Sequence, residues 1–137
     1  MKPFKVNIVT PEKVAWEAEA VSVTIPGTEG YLGVWANHAP LVTGLVPGVI
    51  TIRRDEAGNA QYLACSGGFV EISDNTVNVM TDTAEEAGQI DASRAKAALE
   101  RAKARLTGGE PDVDVDRAML ARQRAEARIE AVERALK

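Results

Sequence analysis

The sequence changes its structural character near Thr83, and this break constrains the fold more than any other feature. Before it, Val, Ile, Thr and Gly are abundant, whereas from Ala84 onward the chain consists mainly of Ala, Arg, Glu and Asp. Residues 1–84 carry five Lys and Arg against nine Asp and Glu, and residues 85–137 carry eleven of each. The first composition is typical of β-strands, and the second is typical of amphipathic helices. We therefore predict two domains, residues 1–84 and residues 85–137.

Alternating apolar residues predict the strands of the first domain. The alternation starts at Phe4, Val6 and Ile8 and returns at Val21–Ile25, and each run ends at proline or glycine. Further strands are predicted at 31–34, 49–53, 61–66, 69–72 and 77–80, with a hairpin loop at 55–59 and a tight turn at 74–75. Because no helical pattern separates these strands, an antiparallel β-sandwich or barrel is favoured over a βαβ fold.

Two features of the strand region resemble functional groups but have simpler interpretations. Gly67-Gly68 lacks the Lys-Ser/Thr ending and the following helix of a phosphate loop, so we predict a bend or bulge there. Cys65 lies in an apolar strand pattern and is predicted to be a buried small side chain. As the only cysteine it cannot form an intramolecular disulfide, and with His38 as the only histidine no His/Cys zinc cluster can form.

The second domain has the pattern of an antiparallel helical hairpin, which makes the predicted fold class α+β. Asp91 is a candidate N-cap for a helix ending near Leu106, and Asp114 for a second helix reaching about Ala135. Their apolar stripes are Ala95, Ala98, Leu99, Ala102 and Leu106, and Ala118, Ala121, Ala125, Ile129, Val132 and Leu136. Alanine buries little apolar surface, so the hairpin is predicted to be marginally stable and suited to switching between partners.

Composition also excludes several classes of protein. A pI near 5.1 argues against a nucleic-acid partner, which would require a basic surface. No stretch approaches the roughly 18 apolar residues that a membrane span requires. We expect the chain to act in the compartment where it is made, and a reducing cytoplasm is consistent with its single cysteine. The sequence shows no Ser/His/Asp set, metal cluster or phosphate loop, which argues against an enzyme. It has only two each of Trp, Tyr and Phe, too few for the clustered aromatic surface of a sugar-binding module.

Four motifs, in the same order along the chain, resemble those of the bacterial epsilon subunits of F-type ATP synthases. They are Val9-Thr10-Pro11-Glu12, the segment Gly30–Leu41, Cys65–Glu71 and Ile90-Asp91-Ala92-Ser93-Arg94-Ala95. The resemblance implies a non-catalytic subunit of the central stalk whose sandwich contacts the gamma subunit and the c-ring. It further implies helices that extend toward the alpha and beta subunits to restrain ATP hydrolysis, and a peripheral position on the cytoplasmic face of the bacterial inner membrane.

By the same resemblance, the segment 29–41 contacts the c-ring. The candidate residues are Tyr31, Leu32, Val34, Trp35 and His38. Large apolar groups beside glycines are typical of an exposed contact patch, although the same side chains could fill the end of the sandwich. Tyr31 and Trp35 are expected to be exposed. Tyr31 and Ala36 occupy positions where the family often has an acidic residue and a proline, so no charge contact is expected there. His38 has no neighbouring nucleophile or acid, which favours a turn or interface role over a general base.

Family members that bind ATP do so at the Asp-x-x-Arg-Ala helix start, with arginines of both helices around the phosphates. The matching residues are Glu85, Asp91, Arg94, Ala95, Arg101, Arg124 and Arg128. Guanidinium groups pair well with phosphate oxygens, and without a Walker lysine ATP would be a regulatory ligand that needs no metal. Two alternatives are a solvated face balanced by Glu126, Glu130 and Glu133, and pairing of the arginines with the beta subunit.

Overall fold

The computed structural model describes residues 2–109 and 111–137, and this part of the chain forms a β-sandwich followed by two helices. The strands are β1 (Phe4–Val9), β2 (Val14–Ala20), β3 (Ser22–Gly27), β4 (Gly30–Val34), β5 (Leu41–Arg53), β6 (Ala60–Ser73), β7 (Thr76–Thr81) and β8 (Ala84–Glu86). A 3-10 helix (Ala87–Gln89) leads to α1 (Ala92–Thr107) and α2 (Val115–Ala135). The predicted fold class is confirmed.

The strands follow the order β2-β1-β7-β6-β5-β3-β4, and β8 pairs with β6. All pairs are antiparallel except β1 with β7, which the sequence did not predict. The two long strands, β5 and β6, run through both layers of the sandwich and so join them. The predicted hairpin loop at 55–59 lies between these strands, and the predicted turn at 74–75 has positive φ at Asp74 and Asn75, as a two-residue hairpin requires.

Gly67 and Gly68 mark the bend by which β6 passes from one layer to the other. Leu63 and Cys65 face the core before the bend, and Val70 and Ile72 face it afterwards, so the inward positions change from odd to even. Both glycines have positive φ, and a Cβ on Gly68 would lie 2.0 Å from the Met80 carbonyl oxygen. The pairing with β5 keeps one register across this point. The predicted bend is therefore present, and it allows one strand to serve one core from two layers.

The core lies between the layers and consists mainly of β-branched side chains. Ile8, Ile25, Ile50 and Val79 are among the side chains that are fully inaccessible to solvent. Cys65 is buried as predicted, and burial raises the pKa of its thiol because the thiolate would lose its hydration.

Two strands were not predicted, and both have compositions that hide them. β2 contains three alanines and two glutamates, residue types that are depleted in strands, but it pairs with β1 along its length and inserts Trp16 into the core. β8 has only three residues and pairs with Leu63–Cys65 of β6. Its position, 84–86, crosses the boundary predicted between the two domains.

The helices begin and end close to the predicted residues. The Asp91 and Asp114 side chains accept hydrogen bonds from the backbone N–H groups of Arg94 and Arg117, which is N-capping geometry. Ala95 and Ala102 of α1 and Ala118 and Ala125 of α2 are buried, as expected for the seam between the helices. The prediction for Leu136 was wrong: this residue follows the last turn of α2 and is exposed.

A second face of α2, which the predicted apolar stripe does not include, packs on the sandwich. Ala127 and Ala131 contact Val49 of β5 and Ala64 of β6, with Tyr62 and Ile90 at the margin. We call the sheet surface formed by Val49, Tyr62 and Ala64 the docking face. None of the described helices is long and apolar enough to cross a membrane.

Candidate functional site

A cavity of about 210 Å³ lies where the end of the sandwich, the start of α1 and the middle of α2 meet. Its lining residues are Glu85, Gln89, Ile90, Asp91, Arg94, Ala95 and Arg128. Five of these are among the seven predicted ATP-binding residues. β8 supplies Glu85, α1 and its cap supply Asp91, Arg94 and Ala95, and α2 supplies Arg128. Strand β8, which pairs with β6 of the sandwich, and both helices are therefore needed to form the cavity.

An ion pair crosses this cavity from the sandwich to the hairpin. The Arg128 Nε–H donates to Glu85 Oε1 over 2.8 Å, and the two side chains are each about one-third exposed. The pair joins positions 43 residues apart and links β8 to α2. Asp91 is partly committed as well, because its Oδ1 accepts from the Arg94 N–H at the start of α1. A carboxylate has further lone pairs, so both acids retain capacity to accept hydrogen bonds.

A second cavity continues from the first along the seam between α1 and α2. It has a volume of about 180 Å³, a floor of alanines and a rim formed by Arg101, Arg105, Arg124 and Arg128. We call it the arginine groove. The two remaining predicted ATP-binding residues, Arg101 and Arg124, lie here and not in the first cavity, and Arg128 lines both. Neither cavity alone has the roughly 300–1,000 Å³ of a typical small-molecule site, whereas the volumes of the two cavities together fall within that range.

The arginines of the hairpin differ in whether they have an acidic partner. Arg122 pairs with Glu126 over 2.7 Å and Arg134 with Glu130 over 2.6 Å, both one helical turn apart. These glutamates were two of the three expected to balance the groove arginines, and they are bound to other partners. Within residues 2–109 and 111–137, Arg101, Arg105 and Arg124 form no ion pair. The groove therefore holds excess positive charge that the hairpin itself leaves uncompensated.

The segment 29–41 forms β4 and the loop after it at one end of the sandwich. Tyr31 and Trp35 are 51% and 55% exposed, in agreement with the expectation for this pair. Leu32 is half-buried, and Val34 is 1% exposed and belongs to the core, so Val34 cannot present an apolar contact to a partner. The alternative interpretation, in which these side chains fill the end of the sandwich, holds for Val34.

Hydrogen bonds order this end of the molecule. The Tyr31 hydroxyl accepts from the Val49 N–H over 3.2 Å, and the Asn37 N–H donates to Asn75 Oδ1 over 2.7 Å. His38 is half-buried, and its Nδ1 lies 2.7 Å from the Ala39 carbonyl oxygen, to which it donates. These contacts give His38 the geometry of a turn residue.

An exposed apolar surface lies on the layer opposite the docking face. Val42 and Val46 point outward from β5, and Phe69 points outward from β6 opposite Gly44. Val42 is 67% exposed and Phe69, whose strand lies between β5 and β7, is 48% exposed. We call these three residues the open face. Sequence alternation could not reveal it, because the bend at Gly67-Gly68 changes which positions face outward.

Apart from the alanines of the seam, three residues that line these cavities were not among the predicted site residues. Gln89 and Ile90 immediately precede the Asp91 cap, and their position next to the helix start was the available signal. Arg105 lies one turn beyond Arg101 on the same face of α1, and this spacing could have included it.

Comparison with known proteins agrees with this architecture. A family model described as the β-sandwich domain of the ATP synthase delta/epsilon chain matches residues 3–87, and one described as the long α-helix domain of that chain matches residues 89–133. The ATP synthase epsilon chain of Desulforamulus reducens is 46% identical over 96% of this chain and 98% of its own length. That of Moorella thermoacetica is 47% identical over 84% and 85%, respectively. The chain belongs to the ATP synthase epsilon chain family.

Solved structures extend the similarity to the arrangement of sandwich and helices. A chain of the Euglena gracilis mitochondrial ATP synthase structure, which contains OSCP, F1 and the c-ring, aligns with a TM-score of 0.80 at 26% identity over 98% of this chain and 82% of its own. A chain of the Tetrahymena thermophila central stalk and c-ring structure shares the fold, with a TM-score of 0.58 at 19% identity over 97% of this chain and 96% of its own. Family membership agrees with a non-catalytic subunit of the complex and with the expectation that the chain is not an enzyme.

Proposed function

We propose that the chain couples rotation through its sandwich and restrains ATP hydrolysis through its hairpin, and that ATP bound to the docked hairpin relieves the restraint. The observation that carries this proposal is the convergence of Glu85, Asp91, Arg94 and Arg128 on one cavity between the two domains. Acidic and basic side chains at one cavity suit the two parts of a nucleotide, the nucleoside with its hydrogen-bond donors and the anionic phosphates. Carboxylates accept from ribose hydroxyls and the adenine amine, and guanidinium groups bind phosphates.

The uncompensated arginines support a phosphate ligand over a solvated charged face. Arg101 and Arg124 line the neighbouring groove, and two of the three glutamates considered as balancing charges, Glu126 and Glu130, pair with other arginines of α2. The sequence has no glycine-rich loop ending in Lys-Ser/Thr, so the bound nucleotide would be held without hydrolysis.

Ligand binding at this place would favour the docked hairpin. The cavity walls come from β8 and from both helices, and they separate when the hairpin leaves the sandwich. A ligand at 100 times its dissociation constant stabilises the state it binds by about 2.7 kcal/mol. Because the hairpin is held mainly by alanines, this free energy is comparable to the difference between its two positions.

Calorimetry of the full-length subunit with ATP tests the site. We expect binding, and we expect Arg94→Ala and Arg124→Ala to weaken it about tenfold or more, since a hydrogen bond to a charged group contributes about 1.5–3 kcal/mol. Arg122→Ala is the matched control, because Arg122 carries the same charge on α2 but lines neither cavity. The proposal fails if millimolar ATP gives neither heat nor thermal stabilisation.

The open face is the surface we assign to the gamma subunit. An exposed apolar patch on a sheet, left uncovered by the hairpin, is typical of a protein interface. In full-length protein, Phe69→Asp and Val42→Asp should lower affinity for purified gamma, because a charge would be buried without a partner. Leu136→Asp, at an exposed apolar residue outside the open face, should leave it unchanged. Equal affinity of all three variants would exclude this surface.

The end of the sandwich formed by residues 29–41 is the surface we assign to the c-ring, through Tyr31, Leu32, Trp35 and His38, with Val34 packed beneath. In the assembled enzyme, Tyr31→Ala and Trp35→Ala should reduce ATP-driven proton pumping more than ATP hydrolysis. A weakened contact would let hydrolysis proceed without turning the c-ring. A parallel loss of both activities would indicate misassembly and refute a specific coupling role.

The hairpin is the element we assign to inhibition, by extension toward the alpha and beta subunits. Truncation after Ala87 keeps β8 and removes both helices, so the sandwich should remain bound while ATP hydrolysis by the complex rises. An unchanged hydrolysis rate at low and high ATP would show that the helices do not inhibit. As part of this complex, the chain would act at the cytoplasmic face of the bacterial inner membrane.

A further inference from the structure

The side chain of Tyr31 connects the end of the sandwich formed by residues 29–41 to the strand on which the hairpin docks. Its hydroxyl accepts from the Val49 N–H over 3.2 Å, although Tyr31 belongs to β4 and Val49 to β5. The Val49 side chain lies in the docking face, where it packs against Ala127 and Ala131 of α2. One hydrogen bond therefore joins the two surfaces.

This hydrogen bond lies at an interruption in the sheet. Pairing between β3 and β5 shifts its register between Thr51 and Leu45, and Val49 falls within that stretch of β5. A backbone N–H that is left without an acceptor inside a folded protein costs free energy. The Tyr31 hydroxyl supplies the acceptor, so a side chain of β4 completes the hydrogen bonding of β5 at this point.

Gly48 provides the space that the contact needs. A Cβ on Gly48 would lie 3.0 Å from the Tyr31 hydroxyl oxygen and 2.6 Å from the Cβ of Pro26, the residue that pairs with Tyr31 across β3 and β4. A larger residue at this position would thus displace the hydroxyl or the proline. Tyr31 is nevertheless 51% exposed, so a partner can touch its ring while the hydroxyl lies against β5.

We propose that Tyr31 is a positioning residue for the hairpin, and that a partner which draws its ring away from β5 weakens the docking of α2. Without the hydroxyl, the Val49 N–H loses its acceptor and β5 is held less firmly beneath Ala127 and Ala131. A gap of about 0.5–1 Å already removes a quarter to a half of a van der Waals attraction, and short alanine side chains cannot follow the strand to close it. In naming the c-ring as this partner, the inference rests on the proposed function.

Amide hydrogen exchange of the full-length subunit, resolved by NMR, tests this role. Tyr31→Phe removes the hydroxyl and keeps the ring, so exchange should become about fivefold faster at the Val49 amide and in α2, as the loss of one hydrogen bond predicts. Exchange at Ile8 and Val79 should not change, because a local contact and not the core is affected. Tyr62→Phe is the matched control: it removes the same group from the docking face, where that hydroxyl forms no hydrogen bond within the described residues.

Coupling between two sites is reciprocal, which provides a second measurement. Ala131→Leu, at the buried contact of α2 with the docking face, should shift the NMR signals of the Tyr31 ring. Ala97→Leu, at an exposed position of α1, should leave them in place. The inference is overturned by unchanged Tyr31 signals in Ala131→Leu, by equal acceleration in Tyr31→Phe and Tyr62→Phe, or by faster exchange throughout the sandwich in Tyr31→Phe.

ATP-driven proton pumping by the assembled enzyme separates this inference from the assignment of the c-ring. If Tyr31→Phe accelerates exchange in α2 while Tyr31→Ala leaves pumping unchanged, the positioning role stands and the c-ring assignment fails. If Tyr31→Ala reduces pumping while Tyr31→Phe leaves exchange in α2 unchanged, the c-ring assignment stands and the positioning role is overturned.

Discussion

The sandwich and the hairpin are held together by side chains of different size, and the difference separates a rigid body from a movable one. The sandwich buries Ile8, Ile25, Ile50 and Ile52 completely in one core. The hairpin docks through Ala127 and Ala131, whose single methyl groups meet Val49 and Ala64. At about 0.8 kcal/mol per buried CH₂, each alanine contributes far less than an isoleucine. A marginally held element can leave its site without unfolding the domain beneath it.

The largest effect that would test this comparison is expected in the sandwich core. Ile50→Ala should lower the free energy of unfolding by about 2–5 kcal/mol, because a fully buried side chain leaves a cavity. Urea unfolding followed by tryptophan fluorescence measures it, since Trp16 packs in the same core. Leu136→Ala, at an exposed position, should change stability by less than about 0.5 kcal/mol. Similar losses in both variants would mean that the core is not the stable region.

A smaller effect is expected where α2 meets the docking face. Ala131 is completely buried there, and Ala131→Leu should destabilise the docked hairpin by about 1–3 kcal/mol through overpacking. Hydrogen exchange should then be faster in α2 and unchanged in the central part of β5. Ala97→Leu, at an exposed position of α1, is the matched control. Faster exchange throughout the sandwich would show that the two domains unfold together and contradict the comparison.

The docking interface also contains a group that opposes docking. Thr51 is buried on the same outward side of β5 as Val49, and its hydroxyl has no hydrogen-bond partner within the described residues. An unsatisfied buried hydroxyl costs about 1–3 kcal/mol, so Thr51→Val should slow hydrogen exchange in α2 by stabilising the docked state. Thr51→Ser keeps the hydroxyl and should not slow it. Slower exchange in both variants would assign the effect to another cause.

The smallest effect is expected at the ion pair between the domains. Glu85→Gln removes the charge that holds Arg128, and because both side chains are about one-third exposed, the loss should be about 1 kcal/mol or less and should shrink in high salt. Glu130→Gln breaks a comparable pair within α2 and is the control. If the two variants have the same effect on exchange in α2, the Glu85–Arg128 pair does not link the hairpin to the sandwich.

Much of the fold followed from local patterns. Strand alternation, the turn at 74–75 and the caps at Asp91 and Asp114 were predictable because each depends on residues close in sequence. The five predicted residues that line the first cavity could be grouped from the sequence only by resemblance to the epsilon subunits. No local rule brings Glu85 to Arg128, because these residues are 43 positions apart and meet only after α2 has packed on β5 and β6.

The sequence by itself determined that a strand-rich domain precedes two helices, because composition and period change together near Thr83. Only the tertiary structure decided which alanines of α2 face the sheet. Alanines occur on several sides of this helix, so its periodicity does not single out Ala127 and Ala131. The surface of the sheet makes that choice, because a flat docking face of Val49 and Ala64 admits the close approach of small side chains. The same packing leaves the groove arginines without carboxylates and assembles the cavity from both domains.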